Sequence, residues 1–588
     1  MSKRLVALLL GAGLLAAAFG RLALSDEKAP AGGGKAVGNF TLTDPRDGKK
    51  VAFADLKDKK AVVVVFVGTE CPINNLYMPR LAELHREYAG KGVQLLAINA
   101  NVQDSAEQVA AHAKKYELPF PVLKDEGHVV ADQFGAVRTP EAFLLDAEGK
   151  IRYRGRIDDQ YGIGYQRARP TTRELVNALE EVLAGKPVTT ASAPVAGCII
   201  GRAAQPKDTG TVTFTKHVAP ILQNRCQECH RPGQIGPMPL LSYRQAASWS
   251  ETIKEVIEEG RMPPWHADPK IGHFSNDRRL SKEEKDTLLT WIAQGCPKGD
   301  DKDLPPPRTF DPKWKIGTPD LVVSMAEDFD VPAEAGKNGV PYKYFTVDPG
   351  FTEDKWVVRA ECKPGAPEVV HHIIVFISAP GQAFIPGTRG ARVLAGLAPG
   401  DTALQLPAGV AKKVPAGSKF VFQMHYTPNG KAQKDRSSIA LIFAKEPPKY
   451  EAITIPVGNP LFSIPPGDPN YEVESWFPVQ NDGLILSFMP HMHLRGKDFL
   501  YEAVLPDGKK ETLLSVPRFD FNWQNSYRLA KPYPVPKGSR IHCIAHFDNS
   551  EKNPNNPDPS KEVRWGDQTW EEMMIGWTEV MFEVKPQK

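Results

Sequence analysis

Five histidines of this sequence lie in three short groups, each beside an apolar run of β type. EVVHHIIVFI contains His371 and His372, KFVFQMHYTPNG contains His425, and ILSFMPHMHLRGK contains His491 and His493. Because residues two apart on a strand share a face, His491 and His493 can chelate one ion together. Adjacent His371 and His372 point to opposite faces of a regular strand, so they can bind one metal only through a bulge or through different ring nitrogens.

The donor types in these groups indicate a transition metal. No acidic cluster accompanies the histidines, which argues against Ca²⁺ and Mg²⁺, whereas imidazole-rich ligation suits copper or zinc. Near the C-terminus, RWGDQTWEEMMIGWTEVMF adds Met573 and Met574 ahead of an apolar run. A thioether together with two imidazoles favours Cu(I) over zinc, so the sequence predicts copper.

These motifs carry a resemblance that covers residues 319–588. Through VVHHIIVF, QMHYTPNG, HMHLRGK and EEMM, the region resembles the type II copper, ascorbate-dependent monooxygenases, the family of peptidylglycine α-hydroxylating monooxygenase and dopamine β-monooxygenase. The resemblance implies two tandem all-β sandwich (jelly-roll-like) domains, residues 319–450 and 451–588, with one copper each across a solvent cleft. It implies that the first copper is held by His371, His372 and His425 and the second by His491, His493 and Met573.

This half of the chain also departs from the family. The family's sandwiches are rich in disulfides, whereas only Cys362 and Cys543 occur here, and their pairing stays open. Met574 stands where the family has a cysteine beside its ligand methionine, and Met573, directly after the second acid, is preferred as the ligand. The family's substrate-binding residues are not recognisable, so its peptide and catecholamine substrates are not implied.

The resemblance implies hydroxylation of a C–H bond of an unknown small-molecule or peptide substrate by O₂. The copper at His491, His493 and Met573 would activate O₂, and the three-histidine copper would store and deliver the second electron. Each turnover needs two electrons, from an ascorbate-like reductant or a redox protein.

A second chemical motif is CQECH, in NRCQECHRPG. Cys226 and Cys229 can add to both vinyl groups of a haem, and the adjacent His230 can then reach the iron. A zinc or redox Cys-x-x-Cys is weaker, because no second such pair follows. The segment GRMPPWHAD offers Met262 as the sixth ligand, on a loop before a proline. Three histidines remain alternatives for that axial position: His217, His266 and His273.

Residues 211–302 resemble a class I-like cytochrome c, a mostly α domain with one covalent haem c. The run LSKEEKDTLLTWIAQGCPKGD looks like the closing helix of that fold. A thioether ligand raises the reduction potential of the iron, which suits electron transfer. We expect this module to re-reduce copper, in place of or beside a small reductant.

The third motif is one cysteine between a strand and a helix. AVVVVFV reads as a strand buried on both faces, and Cys71 follows it in GTECPINN, where the helix N-terminus favours thiolate. Residues 34–187 alternate strands and helices and resemble the α/β thioredoxin-like redoxins, with GTECP as the active-site loop and Thr139-Pro140 as the family's cis-proline. Asn74 replaces the usual second cysteine, so Cys198 is our candidate to resolve Cys71.

Size, charge and the N-terminus set the frame for these modules. A chain of 588 residues needs several domains, and a net charge of +3 gives no reason to expect a nucleic acid partner. Residues 1–24 have a basic start and an apolar run, which predict a signal peptide and export to the periplasm or outside the cell. An uncleaved membrane anchor is the alternative. Composition predicts linkers at 188–210 and 303–318, and the second could hold haem and copper too far apart for rapid transfer.

Three functions compete on these grounds. The first is an exported copper monooxygenase with a built-in electron supply. The second is an electron-transfer or thiol-disulfide oxidoreductase whose copper domain binds metal without hydroxylating. The third is a copper-binding or scaffolding protein in which the metal is cargo.

Overall fold

The structure of the protein is a computed structural model, and it describes residues 34–584 except 168, 208–209, 311–313, 334–339, 383, 385–391, 399–402 and 429–430. The expected signal peptide at 1–24 lies outside the described residues. None of the helices described has the length and apolar character needed to cross a membrane.

The first module is an α/β domain. Its helices are α1 (Pro72–Tyr88), α2 (Ala106–Lys115), α3 (Val129–Phe134) and α4 (Glu174–Leu183). Its strands are β1 (Thr41–Thr43), β2 (Lys50–Ala52), β3 (Ala61–Phe66), β4 (Val93–Asn99), β5 (Val122–Lys124), β6 (Arg138–Thr139), β7 (Glu141–Asp146), β8 (Ile151–Gly155), β9 (Tyr161–Gly162), β10 (Tyr165–Gln166) and β11 (Cys198–Ile199).

The sheet of this module is organised around the all-apolar strand β3. Every residue of β3 is buried, because β4 pairs parallel to it, β7 pairs antiparallel to it, and side chains cover both faces. The full order is β2-β1-β5-β4-β3-β7-β8. The peptide bond between Thr139 and Pro140, just before β7, is cis. The expected thioredoxin-like α/β domain is therefore confirmed.

The segment 188–210, for which composition predicts a linker, folds back onto this domain. Strand β11 pairs with β6, and the next residue, Ile200, is buried in the core on one face of the sheet. Ala193 joins the core on the other face. The apolar residues in this stretch outweigh its proline and glycine content, so the chain is fixed here.

The second module contains short helices: α5 (Ala219–Arg225), α6 (Tyr243–Ser248), α7 (Ser250–Glu258) and α8 (Lys282–Ala293). Helices α6 and α8 begin with capping boxes at Ser242 and Ser281. A small aromatic core that includes Phe214, Trp249 and Trp291 holds these helices together.

The third module is a β sandwich. Its sheet β14-β20-β16-β17 faces a sheet that contains β12-β22-β15-β19, and the side chains between them form one hydrophobic core. The strands are β12 (Leu321–Ser324), β13 (Phe329–Val331), β14 (Lys343–Val347), β15 (Lys355–Lys363), β16 (Val370–Ser378), β17 (Arg392–Leu397), β18 (Leu404–Gln405), β19 (Val410–Val414), β20 (Lys419–Tyr426), β21 (Gln433–Asp435) and β22 (Ser438–Phe443).

The fourth module is a second β sandwich with its own core. Its sheet β25-β30-β27-β28 faces β23-β32-β26-β29. The strands are β23 (Tyr450–Gly458), β24 (Ser463–Ile464), β25 (Tyr471–Pro478), β26 (Gly483–His491), β27 (Gly496–Val504), β28 (Lys510–Val516), β29 (Tyr527–Val535), β30 (Arg540–Phe547), β31 (Val563–Arg564) and β32 (Ile575–Glu583).

The two sandwiches are joined by one continuous sheet. Strand β19 of the first pairs parallel with β23 of the second, so nine strands form a single sheet. At this junction the buried Lys412 ammonium lies 3.1 Å from the Glu579 carboxylate and donates a hydrogen bond of 2.9 Å to Thr454. The sandwiches are therefore fused along an edge, which the expectation of two tandem domains did not include.

Cys362 and Cys543 lie in different cores. Cys362 is buried in the first sandwich and Cys543 in the second. A disulfide between them would have to join two separate cores, and the structure does not support that pairing.

The other expected linker, 303–318, is also attached to folded structure. Ile316 is buried in a small cluster with Ala403 and Ala440, and the Lys315 N–H donates a 2.6 Å hydrogen bond to Glu361. Proline content predicted a spacer here, but the apolar side chains dock on the first sandwich.

Residues 262–277, between α7 and α8, bridge the helical module and the second sandwich. We call them the bridging segment. Trp265 and Phe274 are part of the second sandwich's core, and Phe274 forms a β-bridge with Leu529. The helical module is thus held directly against the second sandwich.

Candidate functional site

Three histidines converge at one end of the first sandwich. The available ring nitrogens of His371, His372 and His425 all lie within 4.8 Å of one another. His372 and His425 are cross-strand partners on β16 and β20, and the ladder is irregular between Val370 and His372. That bulge lets adjacent His371 and His372 turn toward the same point, as a shared metal requires.

The histidines at the end of β26 form a second pair. The rings of His491 and His493 are 5.2 Å apart and perpendicular. His491 Nδ1 lies 2.6 Å from Gln524 Oε1, and His493 Nδ1 lies 3.2 Å from the Glu571 carbonyl oxygen. These contacts are met when each Nδ1 carries the proton, which leaves each Nε2 lone pair for a ligand.

Phe521 lies between the two histidine groups. Its ring stacks on His371 at 5.0 Å with an 11° interplanar angle, and it meets the His493 ring edge-on at 6.1 Å. The expected solvent cleft between the sites is therefore occupied here by an aromatic side chain that contacts both groups.

The pKa values of all five imidazoles favour the neutral ring, which can offer a nitrogen lone pair to a metal ion. Burial, with a smaller effect from His491, lowers the pKa of His371 to about 4, and burial lowers the pKa of His493 to about 3. Burial also lowers the pKa values of His372, His425 and His491. The rings are neutral at pH 7, and their unpaired buried nitrogens include His371 Nδ1 and Nε2, His372 Nε2, His425 Nδ1 and His493 Nε2.

Such unpaired buried nitrogens are costly unless a ligand uses them. A metal ion would use one nitrogen of each of the three imidazoles in the first group, and two imidazoles plus a thioether would hold a second ion in the same way. The donor set therefore fits the expected copper ions.

The two methionines of EEMM have different surroundings. Met574 is fully buried in the core of the second sandwich, whereas Met573 retains 9% exposure. The buried Glu572 carboxylate accepts hydrogen bonds from the backbone N–H groups of His493 at 2.8 Å and Arg495 at 2.6 Å. This clamp holds the chain at Met573 beside the histidine loop, while Met574 serves packing.

Several further residues contact the histidines at these sites. The Tyr342 ring packs against His372 and His425, and its hydroxyl is buried without a hydrogen-bond partner among the described residues. Gln423 hydrogen-bonds His372. Gln423 is part of QMHYTPNG, two residues before His425. Tyr342, Phe521 and Gln524 lie outside the histidine motifs, so only the fold could reveal them.

The CQECH motif forms a tight turn at the end of α5. The His230 N–H donates to the Cys226 carbonyl at 2.9 Å, and His230 Nδ1 lies 3.0 Å from the Met238 carbonyl oxygen. That contact places the proton on Nδ1 and leaves Nε2 free to ligate, as in metal-bound histidines generally. Cys226 and Cys229 lie on the same turn, so the donor set fits the expected haem c.

The candidates for the sixth haem ligand are separated in the structure. Met262 begins the bridging segment, and its N–H donates to the Val256 carbonyl of α7. His217 Nδ1 accepts a 3.0 Å hydrogen bond from Thr213 N–H. His266 and His273 lie farther along the bridging segment, where the His273 carbonyl bonds Ala530 of β29. No contact recorded among the described residues joins any of the four to His230.

Cys71 and Cys198 are brought together at the redoxin loop. Cys71 precedes α1, and its thiol lies 3.0 Å from the Thr139 carbonyl oxygen. Cys198 is the cross-strand partner of Thr139, and its side chain hydrogen-bonds the Cys71 sulfur. The structure thus supplies Cys71 with a neighbouring thiol from β11, in place of the cysteine that Asn74 displaces.

The pKa values of the two thiols move apart. Burial alone would raise the pKa of Cys71, but hydrogen bonds from Cys198 and from the Asn74 N–H outweigh it and lower the pKa to about 7. The hydrogen bond to Cys71, together with burial, raises the pKa of Cys198. Cys71 is therefore the nucleophile of the pair, and Cys198 the proton-bearing partner.

Helix α7 of the helical module covers this thiol pair. The Ile199 N–H donates to the Thr252 hydroxyl at 3.2 Å, and Arg138 pairs with Glu255 at 2.6 Å. Cys71 is only 1% exposed. A large external thiol partner would reach it only after this contact opens.

Comparison with known proteins finds relatives of the first module. Residues 33–154 match the model of the AhpC/TSA family. The chain is 38% identical over 118 residues to the thiol-disulfide oxidoreductase ResA of Bacillus thuringiensis, a match over 20% of this chain and 66% of that protein. It is 32% identical over 122 residues to the chloroplastic peroxiredoxin Q of Triticum aestivum, over 54% of that protein.

Two solved structures are similar to part of the chain. A hypothetical protein from Sinorhizobium meliloti is 36% identical, with a TM-score of 0.27, covering 29% of this chain and 93% of its own. A thiol:disulfide interchange protein DsbE from Chlorobium tepidum, described as putative, is 20% identical, with a TM-score of 0.19, covering 21% and 83%. The family match and the identity to ResA show that the N-terminal domain is a thioredoxin-like redoxin domain.

Proposed function

We propose that the protein is a copper-dependent redox enzyme that hydroxylates a C–H bond with O₂. The observation that carries this proposal is the convergence of five buried, neutral imidazoles from two fused sandwiches on either side of Phe521. When bound, copper supplies one-electron redox chemistry and reaction with O₂.

The protein's own residues divide the work of holding the metal. His371, His372 and His425 form the three-nitrogen site, and a bulge in β16 aims the first two together. His491, His493 and Met573 form the mixed site. A thioether ligand stabilises the reduced metal. The resemblance to the copper monooxygenases assigns O₂ to this mixed site.

Other residues hold these candidate ligands in position. Gln524 and the Glu571 carbonyl hold the protons of His491 and His493 on Nδ1. Glu572 fixes the loop that carries His493. Phe521 lies between the sites, where its ring contacts His371 on one side and His493 on the other.

The remaining modules would supply electrons. Cys226, Cys229 and His230 would hold haem c, with Met262 as the proposed sixth ligand, and this module would pass single electrons to copper. A small ascorbate-like reductant or a redox protein would be the external donor. The substrate would be a small molecule or peptide whose C–H bond is hydroxylated.

Oxygen uptake tests this proposal. Copper-replete, haem-loaded protein with ascorbate should consume O₂ when a substrate pool is added, and the Met573→Ile variant should lose this uptake while keeping the haem spectrum and one copper. Met574→Ile is the matched control, because Met574 lies in the core and should cost less than about 1.5 kcal/mol of stability. Full uptake by Met573→Ile refutes the assignment.

A second candidate function is thiol–disulfide exchange at Cys71, with copper bound but not used for hydroxylation. The contact between Cys71 and Cys198 favours it, and so does the redoxin match. The Cys71 thiolate would attack a substrate disulfide, and the Cys198 thiolate would then displace the reduced substrate, leaving a Cys71–Cys198 disulfide. Two electrons pass to the substrate.

Non-reduced peptide mapping tests this exchange. After oxidation with a model disulfide, a peptide linking Cys71 to Cys198 should appear, and reduction should remove it. A free Cys198 thiol in fully oxidised protein overturns the pairing.

We also propose export to the periplasm or the outside of the cell, on the basic and apolar pattern of residues 1–24. Intact mass of the protein purified from that compartment should correspond to a chain that starts near residue 25. A full-length mass from a membrane fraction would instead indicate an uncleaved anchor.

A further inference from the structure

The bridging segment is built into the second sandwich rather than laid on its surface. The Trp265 ring lies 4.8 Å from Tyr527 and 6.0 Å from Phe274, all within one buried cluster. Asp268 N–H donates to the Ser515 carbonyl at 2.8 Å. Because both aromatic and main-chain contacts hold the segment, its position relative to β29 is fixed.

One end of this segment leads to the mixed metal site. The Pro264 carbonyl accepts a hydrogen bond of 3.4 Å from Asn525 Nδ2. The neighbouring Gln524 holds His491 Nδ1 at 2.6 Å. Asn525 and Gln524 are each 2% exposed. The connection from Met262 to the His491 ring therefore consists of covalent bonds and two hydrogen bonds, made through the buried side chains of Asn525 and Gln524.

A second contact between the modules is of a different kind. Glu228, inside CQECH, pairs with Arg308 at 3.3 Å and with Lys315 at 2.9 Å. These side chains are about a third exposed. Among the described residues, neither Arg308 nor Lys315 contacts a histidine of either site. Electron tunnelling weakens steeply with distance and less steeply through bonds than across gaps, so the buried connection is the better route.

We propose that Pro264, Asn525 and Gln524 are positioning residues that form the electron path from the haem module to the copper at His491, His493 and Met573. This inference rests on the proposed function, since it takes haem and copper at the assigned sites. One electron leaves iron(II), which becomes iron(III), and enters copper(II), which becomes copper(I); no proton is transferred. Electrons thus enter at the mixed site, not at the three-histidine site.

Anaerobic stopped-flow spectroscopy on the full chain tests the path. Protein with reduced haem is mixed with Cu(II), and haem oxidation is followed by its absorbance. Asn525→Leu removes the hydrogen bond to Pro264, and we expect electron transfer to slow severalfold. Asn276→Leu is the matched control, because Asn276 Nδ2 also bonds across this interface, to the Ser526 carbonyl at 2.7 Å, but Asn276 lies at the far end of the bridging segment from Met262. Its rate should stay near that of the unmodified protein.

Freeze-quenched EPR gives a second readout that needs no path variant. In His425→Ala, the Cu(II) signal that remains comes from the mixed site. In the unmodified protein, we expect that signal to disappear before the signal of the three-histidine site. Earlier loss of the three-histidine signal, or equal slowing in both asparagine variants, overturns the path while leaving the proposed function intact. Protein that takes up neither haem nor copper overturns both.

Discussion

Cys71 is acidified by its neighbours despite complete burial. Its reaction with iodoacetamide should follow a pH midpoint of about 7, since only the thiolate reacts. Replacing Cys198 by Ala removes a hydrogen-bond donor to the thiolate, so the midpoint should move up toward about 8.5, the value of a free cysteine, or beyond it. Pulsed alkylation with peptide mass spectrometry measures this.

The control for that experiment is Cys296→Ala. Cys296 is also buried, but it lies in the core of the helical module and its recorded contacts do not include Cys71. Its replacement should leave the Cys71 midpoint unchanged. The account of the thiol pair fails if Cys198→Ala gives the same midpoint as the unmodified protein.

The position of Phe521 between the two candidate metal sites leads to a prediction about both of them. Its ring contacts His371 on one side and His493 on the other. Phe521→Ala should therefore change the Cu(II) EPR parameters of both sites, whereas His425→Ala should remove one signal and leave the other. A change confined to one signal would contradict the shared contact.

Among individual residues, the sequence predicts the candidate metal ligands better than it predicts the residues that hold those ligands in place. Spacing and residue type single out the five histidines, and the resemblance to the copper monooxygenases favours Met573, whose neighbour Met574 is a core residue. Gln524 and Phe521 come from a loop with no motif of its own, and only the fold brings them to the histidines.

Among the elements, the bridging segment is expected to stabilise the second sandwich. Trp265→Ala should destabilise the second sandwich by about 3–5 kcal/mol, because a large buried aromatic leaves a cavity. Hydrogen exchange of the β29 amides should speed up accordingly. Leu461 is 89% exposed, so Leu461→Ala should change the free energy of exchange of these amides by no more than about 0.5 kcal/mol. Unchanged β29 protection in Trp265→Ala would show that the segment is not part of this core.

The elements also show where composition misleads. Proline and glycine predicted linkers at 188–210 and 303–318, yet Ile200 and Ile316 are buried there. Both stretches contain apolar residues that a spacer does not need. Which surface they pack on depends on strand pairing and docking across the molecule, and local sequence does not encode that.

For the whole molecule, the shared sheet makes the two sandwiches one mechanical unit. Lys412→Met would leave Glu579 buried without its ionic partner, and we expect a loss of about 3–5 kcal/mol in the free energy of unfolding of both sandwiches. Lys413→Met, which breaks a partly exposed pair with Asp354, should cost about 1 kcal/mol or less. Denaturant titration compares them. Independent unfolding of the sandwiches would contradict the fusion.

Module types along the chain were accessible from sequence, but their arrangement was not. Periodicity and motifs predict an α/β redoxin domain followed by helices and then β structure. The continuous sheet through β19 and β23, and the insertion of Trp265 into the fourth module, depend on contacts between residues far apart in the chain. Such contacts leave no local pattern.

Metal content is the most direct test of the central claim, that two clusters of buried imidazoles each bind copper. Elemental analysis of metal-replete protein should give two copper ions per chain. His425→Ala and His491→Ala should each retain one, with the haem spectrum unchanged. Zinc alone in the unmodified protein, or a copper content that neither substitution lowers, would contradict the account.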